Sequence, residues 1–434
     1  MKVAALRTLV FDKLTSGRFL RNSSLLMLAN LIVMGLAIIR TPTMTWLLPK
    51  EAVGMIGAVS AWIAFVQLLS LPGMDTASYH YLAKRQYWAF GVNLSYRLRW
   101  SLLSTLALLL GAGYWYSQGS VNLAWMFVIA GLSFPITIGL TAAGGVLGGL
   151  ERFTALFWYR LGESITDFAG FLPLLLLASS THPAALFYGA NQVATAIMMI
   201  GVSWWLWRQL RTQGPPPPPG EVQTMVGYGR HMTAISGLSV GQAQFDSLLV
   251  TLFLPLTIVA DYLIATVVSN QFKTLWGVYT SVRYPVFMRM TTARRRRQFL
   301  YEGALICLGF VGAGVVGFWV IAAIIPWLLP PSYAASIPYI GWLIPAFLLM
   351  LPGAYAEMYF RTEQDQRRQY IMRIVALVVS VVVSLVLAPR WGIMGIIAGR
   401  LAASAAFSLL GIWLFLRFPT AGGAHTVESN LETT

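Results

Sequence analysis

The segment Arg208–Glu221, RQLRTQGPPPPPGE, divides the chain into two parts of nearly equal length. Proline lacks the backbone N–H and fixes φ, so five consecutive prolines cannot continue a helix. Such a run forms a stiff polyproline-II spacer of about 3.1 Å per residue. Long apolar runs lie on both sides of it. The sequence therefore predicts two halves, residues 1–207 and 225–417, joined by a linker at 208–224 and followed by a polar tail at 418–434.

The composition excludes an ordinary soluble globular protein, since 57% of the residues are hydrophobic and only 10% are charged. Apolar runs of about 20 residues, long enough to cross the bilayer as helices, recur along the whole chain. We therefore predict an all-α, polytopic membrane protein. The basic N-terminal segment lacks the pattern of a cleaved signal peptide, and we predict a helix on the membrane surface there.

Twelve candidate membrane spans follow, six in each half, which predicts two six-helix bundles. They are Ser23–Leu48, Ala52–Leu71, Arg99–Tyr116, Val121–Leu147, Phe153–Ala178 and Ala184–Leu206 in the first half, and Val226–Leu254, Ile258–Val282, Phe299–Leu329, Ile337–Phe360, Gln369–Leu387 and Ile393–Leu416 in the second. The run Met74–Arg99 mixes aromatic and basic residues, which favours an interfacial helix between the second and third spans.

The distribution of basic residues gives the expected orientation. With both termini in the cytoplasm, 21 of the 30 Lys and Arg residues fall on the inner side, whereas the outer loops hold only Lys50 and Arg390. The positive-inside rule therefore favours twelve spans with both ends cytoplasmic.

Several function classes are disfavoured by the sequence. The outer loops are too short for an enzyme domain, no GxxxxGK[ST] loop occurs, and the four histidines are scattered. We therefore expect no enzyme activity, no cofactor and no metal site. The net charge of +15 shows no nucleic-acid-binding pattern, and anionic membrane lipids are the expected partner of the basic surface.

Charged residues within the predicted spans are the main functional signal, because a charge at the bilayer centre costs about 2.5–3.5 kcal/mol or more on insertion scales. They must face an interior, a cavity or each other. These residues are Arg40, Arg160, Glu163, Asp167, Arg230, Asp246, Asp261, Lys273, Arg283, Glu357, Arg373 and Arg400.

Some of these charges have a simple structural interpretation. Arg283 and Arg373 lie near the inner helix ends, where long side chains reach the membrane surface. Glu357 has Arg361 four residues on, which predicts an ion pair. Asp261 lies near the outer end of its span, where water is expected to reach it.

Arg160, Glu163 and Asp167 share one helix face at positions i, i+3 and i+7. One interpretation is a self-neutralising structural triad. The other is a substrate contact or a proton-titrating pair whose charge state is tuned by Arg160.

A second set of polar residues predicts a cationic cavity shared by both halves. Asn270 and Lys273 follow Thr266 on one face, Arg230 and Asp246 lie on the preceding span, and Arg40 and Arg400 lie in the outer thirds of the first and last spans. Guanidinium groups bind phosphate oxygens bidentately, so such a cavity suits an anionic head group. Polar packing between helices is the alternative interpretation.

Five stretches resemble the polysaccharide-biosynthesis flippases, the Wzx-like branch of the multidrug/oligosaccharidyl-lipid/polysaccharide (MOP) superfamily, and they occur in the family's order over most of the chain. They are Thr41–Arg85, GGLERF at Gly148–Phe153, Gln244–Ala265, LLPPSYAASIPYIGWLIP at Leu328–Pro345, and APRWGIMGIIAGRLAAS at Ala388–Ser404.

The resemblance implies a V-shaped pair of bundles that alternate between inward- and outward-open states in the bacterial cytoplasmic (inner) membrane. The implied substrate is a polyprenyl-pyrophosphate-linked oligosaccharide, with glycan polymerase or assembly enzymes as possible partners. Its head group would contact Arg40, Arg160, Arg230, Asn270, Lys273 and Arg400. Glu163, Asp167 and Asp246 are the candidates for ion coupling.

Three alternatives remain open. A drug exporter of the same superfamily would share the fold, but its cavity tends to be acidic or aromatic. A major-facilitator transporter would carry a GxxxD(R/K)xGR(R/K) signature, which residues Gly73–Arg97 lack. A membrane glycan polymerase or ligase would need a large outer loop.

Overall fold

The structure is a computed structural model, and it describes residues 17–176, 182–213, 215–288, 292–363 and 365–417. The predicted surface helix at the N-terminus and the polar tail lie outside the described residues, at 1–16 and 418–434. The last residues of the fifth predicted span, 177–178, and Arg289 also lie outside them.

The described part of the first half is helical. Its elements are α1 Gly17–Leu47, α2 Lys50–Val66, a 3₁₀ turn Gln67–Ser70, α3 Gly73–Ala83, α4 Trp88–Ser117, α5 Val121–Thr137, α6 Ala142–Gly149, α7 Phe153–Thr166, α8 Phe171–Leu176 and α9 Pro183–Leu210.

The second half begins after the proline run, at Gly220, whose positive φ of 84° allows the chain to turn into the next helix. Its elements are α10 Glu221–Phe253, α11 Leu256–Met288, α12 Thr292–Leu328, a 3₁₀ turn Pro331–Tyr333, α13 Ser336–Thr362, α14 Gln366–Trp391 and α15 Ile393–Leu416.

All twelve predicted spans fall on helices, and eight helical segments of the described residues are long and apolar enough to cross a membrane. The other four predicted spans coincide with α4, the α7–α8 pair, α10 and α11, which carry charges or an interruption. The multi-pass, all-helical character is thus confirmed for the described chain, whereas the count of twelve and the cytoplasmic termini stay predictions.

Two predicted spans are interrupted rather than continuous. The fourth is broken between α5 and α6, and the fifth between α7 and α8. At the second break, Gly170 approaches the Phe187 carbonyl so closely that a side chain would overlap it. The Gly170 N–H donates to Asn191 Oδ1 at 2.6 Å. This bond gives the backbone N–H an acceptor at a point where the helix is interrupted.

The prediction of one interfacial helix over Met74–Arg99 is wrong in part. The structure forms the short helix α3 and then begins α4 at Trp88, with a turn between them in which Arg85 has a φ of 62°. Helix α3 packs against α10 of the other half. Gly73 makes this close approach possible, because a side chain there would overlap the α10 backbone at Gly229 and Thr233.

The two halves meet along α2 and α3 on one side and α10 and α11 on the other. Gly54 of α2 touches the backbone of Leu256 at the start of α11, where no side chain would fit. One core of buried residues extends through both halves, from Val53 and Ile56 to Val250 and Ala260. The halves are therefore in direct contact along this seam.

Candidate functional site

Two polar chambers lie in the molecule, one in each half. The N chamber, of about 740 Å³, is lined by α1, α5, α7 and α9, together with single residues of α2, α3 and α6. The C chamber, of about 480 Å³, is lined by α10, α11, α13, α14 and α15. Both volumes fall within the ~300–1,000 Å³ typical of small-molecule sites.

The C chamber is dominated by cationic side chains. Lys273, Arg361, Arg373 and Arg400 line it, and Glu357 is the one carboxylate that lines it among the described residues. Lys273 has no carboxylate within 4.0 Å and no hydrogen-bond partner in the ranges that the structure describes. A lysine side chain without a carboxylate partner within 4.0 Å therefore borders this chamber.

Arg400 anchors a buried polar cluster beside Lys273. Its guanidinium is hydrogen-bonded and ion-paired to Asp246, and it also donates to the Tyr262 hydroxyl at 3.3 Å. The Tyr262 hydroxyl donates in turn to Asp246 Oδ2 at 2.5 Å. Asp246 is only 2% exposed, and both of its oxygens have partners, Oδ2 with Arg400 and Tyr262 and Oδ1 with the Ser247 N–H at 2.8 Å.

Arg373 is ion-paired to Glu357, with Nη2 at 2.6 Å from Oε1 and Nε at 3.0 Å. The structure thus gives Arg373 a buried carboxylate partner, and its position at the membrane surface stays a prediction. The predicted Glu357–Arg361 pair is confirmed at 3.5 Å. Arg283 pairs with Glu302 of α12, with Nε 2.9 Å from Oε2, and its position at the membrane surface also stays a prediction.

The interrupted helix α7–α8 borders the N chamber. Interrupted helices occur at membrane depth where they line a cavity, since their free backbone groups need polar neighbours. Here the break places Asp167 at the end of α7, half exposed, beside Arg40 at 3.4 Å. Asp167 also borders an adjoining space of about 300 Å³ that Arg40 lines.

The Arg160, Glu163 and Asp167 set does not form a self-contained triad. Arg160 Nη1 donates to Asn30 Oδ1 of α1 at 2.6 Å, and Asp167 pairs with Arg40 of α1. Glu163 has no ion-pair partner within 4.0 Å in the described part of the chain and lines the N chamber. The partners come from another helix, which helical spacing alone does not reveal.

A third acidic group of the N chamber, Asp75, was not among the predicted site residues. Arg97 Nη1 donates to Asp75 Oδ2 at 2.6 Å, and Asn93 Nδ2 donates to its other oxygen at 3.0 Å. Arg97 also donates to the Ile138 carbonyl at 2.7 Å, in the break between α5 and α6. The aromatic and basic residues around Asp75 indicated a segment on the membrane surface, so the sequence did not predict this network.

The predicted site residues thus separate into two groups instead of lining one shared cavity. Arg40, Arg160, Glu163 and Asp167 line the N chamber or its adjoining space, whereas Lys273 and Arg400 line the C chamber. Arg230 and Asn270 are exposed and line neither chamber. Of the lining residues that were missed, Gln192 and Thr195 had a visible signal, the polar NQVAT stretch inside an apolar span.

An apolar groove lies between the halves beside these chambers. It has a volume of about 380 Å³ and is lined by α1, α11 and α12, with Ile38, Pro42, Ile264 and Leu328 among its residues. Within the described chain, no group of three His, Cys, Asp or Glu residues is arranged to hold a metal ion.

Comparison with solved structures shows the fold. The inward-facing conformation of a multidrug resistance MATE family transporter of the MOP superfamily superposes with a TM-score of 0.67, at 13% identity over 90% of this chain and 97% of that chain. The outward-facing conformation of a MATE family transporter of the same superfamily gives 0.60, at 14% identity over 92% and 95%. A MOP superfamily transporter from Pyrococcus furiosus, characterised by a binding pocket of reversed polarity, gives 0.55 at 15% identity over 92% and 95%.

None of the curated proteins matches the chain at a significant level. A family profile described as polysaccharide biosynthesis protein matches residues 19–291, which is more than half of the chain. The match begins in α1 and ends just beyond α11, so it covers the whole first half and the helices that form the seam. This chain therefore belongs to the polysaccharide biosynthesis protein family.

Proposed function

We propose that the protein is a flippase that moves a polyprenyl-pyrophosphate-linked oligosaccharide from the inner to the outer leaflet of the bacterial cytoplasmic membrane. Membership of a polysaccharide biosynthesis family and a MOP transporter fold support a transport role of this kind. The observation that carries the proposal is the unpaired Lys273 ammonium in the C chamber.

The charges of the C chamber favour an anionic ligand. Three cations, Lys273, Arg373 and Arg400, face two carboxylates, Glu357 and Asp246, and the two arginines are the ones paired with them. Lys273 is left without a carboxylate of its own among the described residues. An uncompensated charge at membrane depth costs several kcal/mol and marks a functional site by default. A pyrophosphate group would supply the missing negative charge and accept charge-assisted hydrogen bonds.

The apolar groove supports a substrate with a lipid tail. Its lining of Ile, Leu, Val and Met side chains matches hydrocarbon, and it lies between α1 and α11–α12, where the two halves adjoin. A polyprenyl chain there would keep its contact with apolar surface while the head group lies among polar side chains. Alternation of the two halves about the seam would then transfer the head group.

The second candidate function is export of a small cationic molecule by coupling to an ion gradient. The N chamber favours it through Glu163, whose carboxylate has no ion-pair partner within 4.0 Å in the described residues. Glu163 and Asp167 are also the candidates for ion coupling in the flippase. Asp246 is the weaker candidate, because Arg400 and Tyr262 hold it in a buried cluster.

The test follows lipid-linked glycans in spheroplasts of cells that lack the protein, using a non-permeant lectin to report the leaflet. We expect lipid-linked glycans to accumulate in the inner leaflet of these cells. Expression of the wild type or Lys84→Gln should relieve the accumulation, whereas Lys273→Gln, present in the membrane at the same level, should not. Lys84 is the matched control because it is exposed at the end of α3. Normal outer-leaflet delivery without the protein, in a strain with no second flippase, would reject the proposal.

A further inference from the structure

The N chamber differs from the C chamber in its balance of charges. Its lining residues include three carboxylates, Asp75, Glu163 and Asp167, and one guanidinium group, Arg160. Two further guanidinium groups pair with these carboxylates from outside the lining. Arg97 pairs with Asp75 and Arg40 with Asp167, while Arg160 lies one helical turn from Glu163. The N chamber is therefore close to neutral, whereas the C chamber carries an excess of positive charge.

Two side-chain amides that border the N chamber have protein partners at their oxygens but not at their nitrogens. Gln192 Oε1 accepts a hydrogen bond from Ser133 at 3.0 Å, and Asn30 Oδ1 accepts one from Arg160 at 2.6 Å. Each amide nitrogen therefore keeps both of its N–H donors free of a protein acceptor within the described ranges. Glu163 adds an acceptor without an ion-pair partner there.

We propose that the N chamber binds the uncharged, hydroxyl-rich glycan of the substrate, while the pyrophosphate binds in the C chamber. This inference rests on the proposed function and divides its head group between the two halves. Sugar hydroxyls donate and accept hydrogen bonds at once, so they match a neutral chamber that offers both amide donors and a carboxylate acceptor. A neutral glycan would gain nothing from the positive excess of the C chamber.

Both chambers adjoin the seam, and this position is consistent with one head group that is bound by both halves. Asn30 of α1 and Ile63 of α2 line the N chamber, and Gln242 of α10 and Lys273 of α11 line the C chamber. Helix α2 packs directly against α10 and α11. Each chamber therefore has lining residues on helices that meet at, or pack beside, the seam.

The inference also predicts which glycans are preferred. The N chamber has no positive excess to pair with uronic acids or phosphorylated sugars, so acidic glycans should bind less well than neutral ones. The anionic part of the substrate is then recognised once, at the pyrophosphate, and the glycan is recognised through hydrogen bonds.

The test measures binding to the purified full-length protein in detergent with two probes. One probe is the glycan released by mild acid from the producing cell's own lipid-linked pool and separated by anion exchange into neutral and acidic fractions. The other is inorganic pyrophosphate. The variants are Gln192→Leu and Lys273→Gln, with Gln118→Leu as the matched control, because Gln118 is exposed at the end of α4.

We expect the neutral fraction to bind the wild type and the control equally. Gln192→Leu should weaken neutral-glycan binding about tenfold, which corresponds to the loss of one or two hydrogen bonds, and should leave pyrophosphate binding within about twofold. Lys273→Gln should weaken pyrophosphate binding about tenfold and leave neutral-glycan binding within about twofold. Glu163→Gln, a change of nearly equal shape, provides a second test of the N chamber with little risk to folding.

Three results would overturn the division of the head group: tighter binding of the acidic fraction, unchanged glycan binding by both Gln192→Leu and Glu163→Gln, or equal loss of glycan binding in Lys273→Gln. If the wild type binds both probes and one of these results appears, the flippase proposal stands and only the division fails. If the wild type binds neither probe, the proposed function itself fails.

Discussion

The Lys50 ammonium lies 2.8 Å from the Asp261 carboxylate, and this ion pair joins the first half of the chain to the second. Lys50 begins α2 and Asp261 lies on α11. The ammonium also donates to the Ser332 carbonyl at 2.6 Å and lies 5.2 Å from the centre of the Tyr333 ring. Asp261 is 3% exposed, so the prediction that water reaches it is wrong.

Further contacts close the same end of the seam. Trp46 Nε1 of α1 donates to the Leu328 carbonyl at the end of α12 at 2.9 Å. Tyr333 is buried beneath Lys50, and the pKa of its phenol is raised, first by burial and then by the Asp261 and Glu51 carboxylates. These contacts lie at the end that the distribution of basic residues assigns to the outside. The conformation therefore has its expected outer end closed.

Removing the Lys50–Asp261 pair should favour opening at this end. In a Cys307→Ser background, Leu48→Cys places a thiol where the native side chain is 4% exposed. Lys50→Gln should raise its labelling by an impermeant maleimide roughly tenfold, equivalent to ~1.4 kcal/mol in the opening equilibrium. The charge-reversed pair, Lys50→Asp with Asp261→Lys, should restore low labelling. Unchanged labelling in Lys50→Gln would show that the pair does not hold this end closed.

The Arg400–Asp246 pair should behave as a buried charge pair. Arg400→Gln leaves the Asp246 carboxylate buried without a cation, and breaking such a pair costs about 3–5 kcal/mol. We therefore expect a clearly lower melting temperature in detergent. Adding Asp246→Asn removes the unpaired charge and should recover most of that loss without restoring transport. A double variant as unstable as Arg400→Gln would contradict this account of the cluster.

Pro135 inside α5 offers a test of backbone hydrogen bonding. Pro135 cannot donate to the Gly131 carbonyl, and the Thr105 hydroxyl of α4 donates to that carbonyl instead, at 2.9 Å. Thr105→Val should therefore destabilise the protein by about 1–3 kcal/mol, the cost of an unsatisfied buried acceptor. In a Pro135→Ala background the helix supplies its own donor, so the same change should cost less than half as much. Equal costs in the two backgrounds would exclude this compensation.

The sequence predicted the helices well, because apolar length and loop charge are local signals. Each of the twelve predicted spans coincides with helix, continuous or interrupted, over its described residues. The predicted linker at 208–224 overlaps the end of α9 and the start of α10. The breaks before α6 and α8 were not predicted, because they depend on tertiary partners. Gly170 needs Phe187 and Asn191, and the α5–α6 break needs Arg97.

The sequence predicted many of the residues that line the two chambers, but it did not predict how these residues are arranged. Arg40, Arg160, Lys273 and Arg400 were found because charges within apolar spans are conspicuous. Their division between two chambers could not be predicted, since helical spacing does not show which helices face each other. Arg361, Arg373 and Asp75 were assigned to membrane surfaces because they lie near predicted span ends, whereas in the structure Arg373 and Asp75 form ion pairs with residues distant in sequence.

The most direct measurement is flipping of a polyprenyl-pyrophosphate-linked oligosaccharide by the purified protein in liposomes. The substrate starts in both leaflets, and an external glycosidase reports how much of it becomes accessible. We predict that wild-type protein makes nearly all of it accessible, while protein-free liposomes and Lys273→Gln liposomes expose only the outer half. Equal accessibility with and without active wild-type protein, at confirmed incorporation, would contradict the flippase account.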